Sequence, residues 1–537
     1  MQIIKKLSLV YISVFFYTIV IQSGMFLFDL PLTPISLYLA FLVTILVDYL
    51  WNKKLDRNLV YACLILVVLM LVGSLYYSHF NETTYDGAFY HGNAMVNMLK
   101  GWNPHLQAGM HKITKVTIWS DFYPKATWIF GAVLIKQFHH LSVPMMIPTL
   151  FAMASSFYTC QFVYKKTRNL VVSSMLALVV FVNPITIQQF QTYYVDGILG
   201  NVLLMLILFG LEAIDHYDLK QNYYILLISV ILINIKFTGF GFAGIINFAI
   251  WLYFLLKNRK AAITYTLFGI VMLAIAIGIV GYSPYFYNLT TGKHIFFPVA
   301  GKEAIDVINY LIPEQLFGKN PIYKLYYSLF QGKGLLKNLF DVSVNRYYFY
   351  DEQIGAFGTF FFRLAVLSGM GYLIYFKKAF QEKTYHLGYL LVFIGFVVTI
   401  LINYKHIWWF RYAPQIWLFL PLGMYYLFLH PKGKYVAYLM FVVILLQNVL
   451  MYSYTLRTNF DRSNSIMSFY RKYQNKTIDI TIKNFDDTEI YWFDTYEAYR
   501  GKQFHVDIHE ILHEGAYSDE CYHMHVYKVC VVRELKN

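Results

Sequence analysis

Asp86, Tyr90, Asn93 and Asn97 are spaced four, three and four residues apart, so a helix over 86–99 places them along one face. One carboxylate among hydrogen-bonding groups is the arrangement a general base needs. Asp86 is equally well placed to be the N-cap of that helix, a frequent role for Asp. His91 lies about 140° away on an ideal helix and joins the face only if the helix begins later. Further on, Trp119-Ser-Asp-Phe-Tyr-Pro124 opens a second apolar segment from Trp128 to Phe138. Asp121 there is either a second acid of the site or the residue at a helix start.

The cations that could hold a phosphate are widely separated. Lys236 stands in Ile233-Asn-Ile-Lys-Phe-Thr-Gly239, and Lys405, His406 and Arg411 stand in Asn403-Tyr-Lys-His-Ile-Trp-Trp-Phe-Arg-Tyr-Ala-Pro414. A forked guanidinium suits a phosphate, making Arg411 and Lys236 the preferred clamp, with Lys405, His406 and Lys125 in reserve. The alternative is interfacial snorkelling among aromatic anchors. Asp196, after Gln188-Gln-Phe-Gln-Thr-Tyr-Tyr-Val195, either caps a helix or supplies another carboxylate. Tyr285, Asn288 and His294 either line a sugar site or belong to an interfacial turn.

These residues lie between long apolar runs. The 537-residue chain is 58% hydrophobic, 19% aromatic and 14% charged, against about 25% charged and 45–50% apolar in soluble domains. Runs near the ~20 residues that cross a bilayer predict an all-α polytopic membrane protein of about 13 transmembrane helices. They fall near 7–28, 33–51, 59–78, 142–163, 170–184, 197–214, 223–237, 239–256, 262–282, 358–376, 386–403, 414–430 and 435–453. With the N-terminus inside, the clusters Lys53-Lys54, Lys165-Lys166, Lys257, Arg259-Lys260, Lys377-Lys378 and Lys432 all fall on the cytoplasmic side. The net charge of +14 therefore reflects topology, and no nucleic-acid partner is expected.

On this orientation the loops 79–141 and 283–357 and the tail face outward. Residues 1–454 are expected to form the membrane domain and 455–537 a small extracytoplasmic α/β domain with alternating strand-like segments. Cys521 and Cys530 of that tail could pair if it is extracytoplasmic. His505, His509 and His513 share a helical face, but the same stretch also alternates like a strand. No metal and no cofactor are expected.

The Asp86…Tyr90-His91…Gly101-Trp102-Asn103-Pro104 stretch, followed by a helix opening on Tyr-Pro, resembles the first outer loop of GT-C membrane glycosyltransferases. That class includes dolichyl-phosphate-mannose protein mannosyltransferases and the lipid A aminoarabinose transferase. The resemblance covers most of 59–453. Two additional spans precede the loop, and no Asp-x-Asp or Asp-Glu pair stands at 86. It implies Asp86 as catalytic base; Asp121 is the second acidic candidate beside it. Tyr90, His91, Asp196, Lys236, Lys405, His406 and Arg411 would be substrate contacts. The implied reaction is inverting transfer from a polyprenyl-phosphate-linked sugar to a glycan, lipid or protein acceptor at the outer face of the cell membrane. A transporter or flippase for an anionic substrate, or a lipid-linked glycan polymerase or ligase, are the rival expectations.

Overall fold

The computed structural model describes residues 1–107, 117–306, 309, 311–330, 354–382, 386–483, 496, 498–510, 521–524 and 527–535. The chain is an all-α multi-pass membrane protein with a small C-terminal sheet. Among the described residues, eight helices are long and apolar enough to cross a membrane: Gln2–Leu27, Ile35–Asn52, Arg57–Tyr77, Val143–Thr167, Asp196–Asp215, Phe237–Lys257, Arg259–Val280 and Gly433–Lys472. Four shorter apolar helices accompany them, Ala126–Phe138, Leu170–Phe181, Leu219–Ile235 and Leu387–Leu401. Helices stand in all the intervals expected from hydropathy, but length and composition alone support eight spans.

Sequence punctuation sets the boundaries. Asp56, Asn169, Asp218 and Asn258 each cap the helix that follows, accepting from the main-chain N–H of Asn58, Val172, Lys220 and Ala261. All four residues lie in short polar turns. Gln2–Leu27 and Asp196–Asp215 form the middle of the bundle, with 72% and 89% of their apolar windows buried. Arg57–Tyr77 and Arg259–Val280, at 28% and 22%, turn most of their surface outward.

Ion pairs register one end of the bundle. Lys6 bridges Asp48 and Asp56, Lys5 and Lys165 both approach Glu212, and Lys166 meets Asp215. These contacts gather the start of the first helix, the end of Val143–Thr167 and the end of Asp196–Asp215 at the same level.

The last helix differs from expectation. Gly433–Lys472 runs unbroken for 40 residues, about 60 Å, so position 454 falls inside it. The sheet packs on its far end. Strands β1 (Thr477–Lys483), β2 (Asp507–Glu510), β3 (Cys521–Met524) and β4 (Tyr527–Leu535) lie in the order β2-β1-β4-β3. β1 and β2 are parallel, and helix Ala498–Gln503 lies in the connection between them. β4 is antiparallel to both of its neighbours. Cys521 and Cys530 face each other across β3 and β4 and form a disulfide. β2 holds the strand reading for 507–510; His513 and the strand expected at 489–493 lie outside the described residues.

Candidate active site

Four charged side chains remote in sequence meet at the opposite end of the bundle. Arg411 donates from Nη2 to Asp86 Oδ2 at 2.7 Å and from Nε to Asp196 Oδ2 at 3.2 Å. Lys236 donates to Asp196 Oδ1 at 2.5 Å. Two carboxylates and two cations form a tetrad whose formal charges cancel. Tyr194 lies 4.5 Å beneath the guanidinium and Tyr412 lies 4.3 Å from the ammonium, so both cations sit on aromatic faces. Asp196, Arg411 and Lys236 expose 1%, 5% and 11% of their side chains, whereas Asp86 exposes 24%. Asp86 is the member that opens to a visitor.

Each side chain reaches the tetrad for a local reason. Asp86 stands at the N-cap position but makes no capping hydrogen bond; the Thr84 hydroxyl accepts from Gly87 N–H at 3.1 Å instead. Asp196 lies inside the first turn of its helix, and Gln189 caps that turn by accepting from Gly197 N–H at 2.9 Å. Neither acid is spent as a helix cap. Lys236 is a single extended residue (φ −156°, ψ 149°) between Leu219–Ile235 and Phe237–Lys257. The two helices close so tightly that a Cβ on Gly239 would collide with the Leu232 carbonyl. Arg411 comes from the short 3-10 turn Phe410–Tyr412.

The helix after Asp86 is not the uniform α-helix over 86–99 that its spacing predicts. Gly87–Gly92 is a π turn, and Asn93–Leu99 that follows is buried over most of its length against Ala126–Phe138. A π turn bonds i to i+5, which swings His91 towards the side of Asp86 without a later helix start. Tyr90 lies within ring contact of His91, Trp119, Tyr123 and Trp128. His91 is fully buried, and its Nδ1 accepts from the Trp128 indole at 2.6 Å. Burial pushes the imidazole down to about 3, so the ring is neutral at pH 7 with its proton on Nε2. Nε2 has no hydrogen-bond partner among the described residues.

The remaining candidates separate. Asp121 is buried in a second cluster, where Lys125 donates to the main-chain oxygens of Asp121 and Tyr123 and to the Ser283 hydroxyl. Burial pushes the Lys125 ammonium down to about 7. Lys405 is exposed and His406 half-buried, and the tetrad contains neither. Tyr285 donates to the Ile233 carbonyl, and Asn288 donates to those of Ile295 and Phe297, so both hold their loop.

Sequence reasoning missed Tyr194 and Gln189, whose visible signal was the polar, aromatic run before Asp196. The chain matches no described family of proteins, and no curated protein matches it.

Proposed function

We propose that this protein transfers a sugar from a polyprenyl-phosphate-linked donor to a hydroxyl acceptor at the outer face of the membrane, with inversion. The observation that carries this reading is the tetrad: two acids remote in sequence share one arginine, and of the four members Asp86 is the open one. Asp86 takes the proton of the acceptor hydroxyl. The acceptor oxygen then attacks the anomeric carbon, and the bond to the donor phosphate breaks, its electron pair leaving on polyprenyl phosphate.

The cations reach that phosphate by exchange. Their burial is already offset by Asp86 and Asp196, so the two cations are balanced within the chain. An arriving phosphate competes with Asp86 for the Arg411 fork, and Asp86 becomes the stronger base as it is released. His91 Nε2 and the rings around Tyr90 suit a sugar, with one donor beside aromatic faces. The ammonium of Arg411→Lys is a point charge without the planar fork that holds a phosphate through two parallel N–H groups, so this variant is expected to lose more than its retained charge suggests.

The outward orientation rests on the basic clusters between spans and on the Cys521–Cys530 disulfide, a bond favoured outside the cytoplasm. Cysteines placed at Lys293 and Lys502 should react with an impermeant reagent in intact cells; reaction only after lysis would remove the argument for a lipid-linked donor.

The decisive assay reconstitutes the full chain in liposomes with a panel of polyprenyl-phosphate sugars and follows release of polyprenyl phosphate. Release supports the reading. Movement of intact donor between leaflets without release would identify a flippase, for which the break at Lys236 is equally suited.

A further inference from the structure

A further buried acid that the reaction does not use joins the segments that carry Asp86 and Asp196. Glu82 is fully buried, and no Lys, Arg or His among the described residues pairs with it. Its Oε1 accepts from Thr84 N–H at 2.8 Å and from the Thr84 hydroxyl at 2.6 Å. Its Oε2 accepts from the main-chain N–H of Tyr193 at 2.6 Å. One carboxylate thus fastens the loop that carries Asp86 to the segment that carries Tyr194 and Asp196. Gly87 fits against it, since a Cβ there would collide with the Glu82 carboxyl.

The strap is braced from outside. Ser463 accepts from Asn81 N–H at 2.9 Å, and the Thr83 hydroxyl donates to Asn459 at 3.3 Å, both from the extension of the last helix. The Tyr193 hydroxyl meets that of Tyr496 at 2.9 Å, and Tyr496 packs against Gly92. A buried carboxylate without a cation is costly, and burial pushes Glu82 up to about 7. Such a group persists where its two-sided acceptor geometry is needed, because a neutral amide offers one acceptor and one donor.

We propose that Glu82 is a positioning residue that sets the distance between Asp86 and the Asp196–Arg411 pair by accepting from Thr84 with one oxygen and from Tyr193 with the other. This deepens the reading of Asp86 as the base and rests on it for its meaning, but its test requires no turnover. Glu82→Gln keeps the shape and turns one of the two attachments into a donor facing a donor. Asp86 is then held less firmly on Arg411 and becomes more reactive.

The probe is a water-soluble carbodiimide with an amine, applied to the purified full chain at neutral pH, with modified carboxyls counted by mass spectrometry. Asp461, at 68% exposure, is the internal control. Labelling of Asp86 in Glu82→Gln should rise roughly fivefold, the ratio that corresponds to about 1 kcal/mol lost from the Asp86–Arg411 pair, with Asp461 unchanged. A merely structural role would alter the melting temperature or Asp461 without singling out Asp86. Unchanged Asp86 labelling in a folded Glu82→Gln overturns the proposal. If that variant does not fold, Thr84→Val, which removes one donor to Glu82, must raise Asp86 labelling in the same direction, and no rise overturns the proposal equally. Failure of the glycosyl-transfer reading would appear in the liposome assay and would leave these labelling ratios untouched.

Discussion

The two ends of the bundle both hold networks of carboxylates and cations, built for different purposes. At the end where the first helix begins, lysines predominate, each pairing with carboxylates of neighbouring helices. Lys5, Lys6, Lys165 and Lys166 expose 29%, 17%, 43% and 32% of their side chains. At the other end Arg411 and Lys236 are buried, rest on aromatic faces and share two acids, one of them open. Point charges at a wet rim fasten helices and mark orientation; a dry, forked, charge-balanced set stores reactivity that a ligand can release. Charge alone does not distinguish the ends, but burial and geometry do.

The largest expected effect separates the two acids from each other. Asp86→Asn should lower the transfer rate by about 10²–10⁴ while the protein stays folded, because it removes a proton acceptor and keeps the shape. An asparagine variant with full activity would return Asp86 to the status of a structural residue. The same change at Asp196 should act on the fold. Asp196 is nearly inaccessible and balances both cations, so Asp196→Asn leaves buried charge uncompensated, at about 3–5 kcal/mol in denaturant unfolding. Equal stability of the two asparagine variants would break the distinction.

Glu82 sharpens the comparison through pH. Its folded-state value is raised from 4.5 to about 7, so the folded chain holds this proton more tightly than the unfolded chain. That contribution is fully present below about 4.5 and is lost as pH rises to about 7, on the order of 3 kcal/mol. The buried His91 and His105, both pushed down to about 3, act in the opposite sense, since the unfolded chain protonates them first below 6.5. Subtracting the melting profile of Glu82→Gln from that of the parent isolates the glutamate. The difference should fall between pH 4.5 and 7, and a flat difference would show Glu82 to be ordinary. The smallest effect belongs to the other end. Lys166→Ala should change stability by about 0–1 kcal/mol, as for a partly exposed pair, and a larger loss would mean that this rim carries more than orientation.

Much of this was legible in the sequence, for identifiable reasons. Hydropathy marked the helices because lipid enforces internal hydrogen bonding over whole runs of residues. Lys236 and Arg411 stood out because the short connections at their end of the bundle carry few other cations. Whether Asp86 and Asp196 cap helices was undecidable from spacing, because Thr84 and Gln189 take the capping hydrogen bonds, and local competition of that kind leaves no periodic trace. The π turn at Gly87–Gly92 was invisible for a similar reason: one extra residue per turn changes which face His91 joins without changing the composition. Glu82 was illegible because its partner across the chain is a main-chain N–H of Tyr193, which any residue there except proline would supply. The tail reads as separate in sequence, yet Asn459, Ser463 and Tyr496 brace the Asp86 loop.

The most direct test of the central claim is a structure of the full chain with polyprenyl phosphate bound. The account predicts the phosphate at the outer end, within hydrogen-bond distance of the Arg411 guanidinium, with Asp86 released from its 2.7 Å contact. A phosphate seated among Lys5, Lys6 and Lys220 at the other end, or more than ~15 Å from Asp86, would contradict it, because transfer needs the reacting atoms within about 3–3.5 Å.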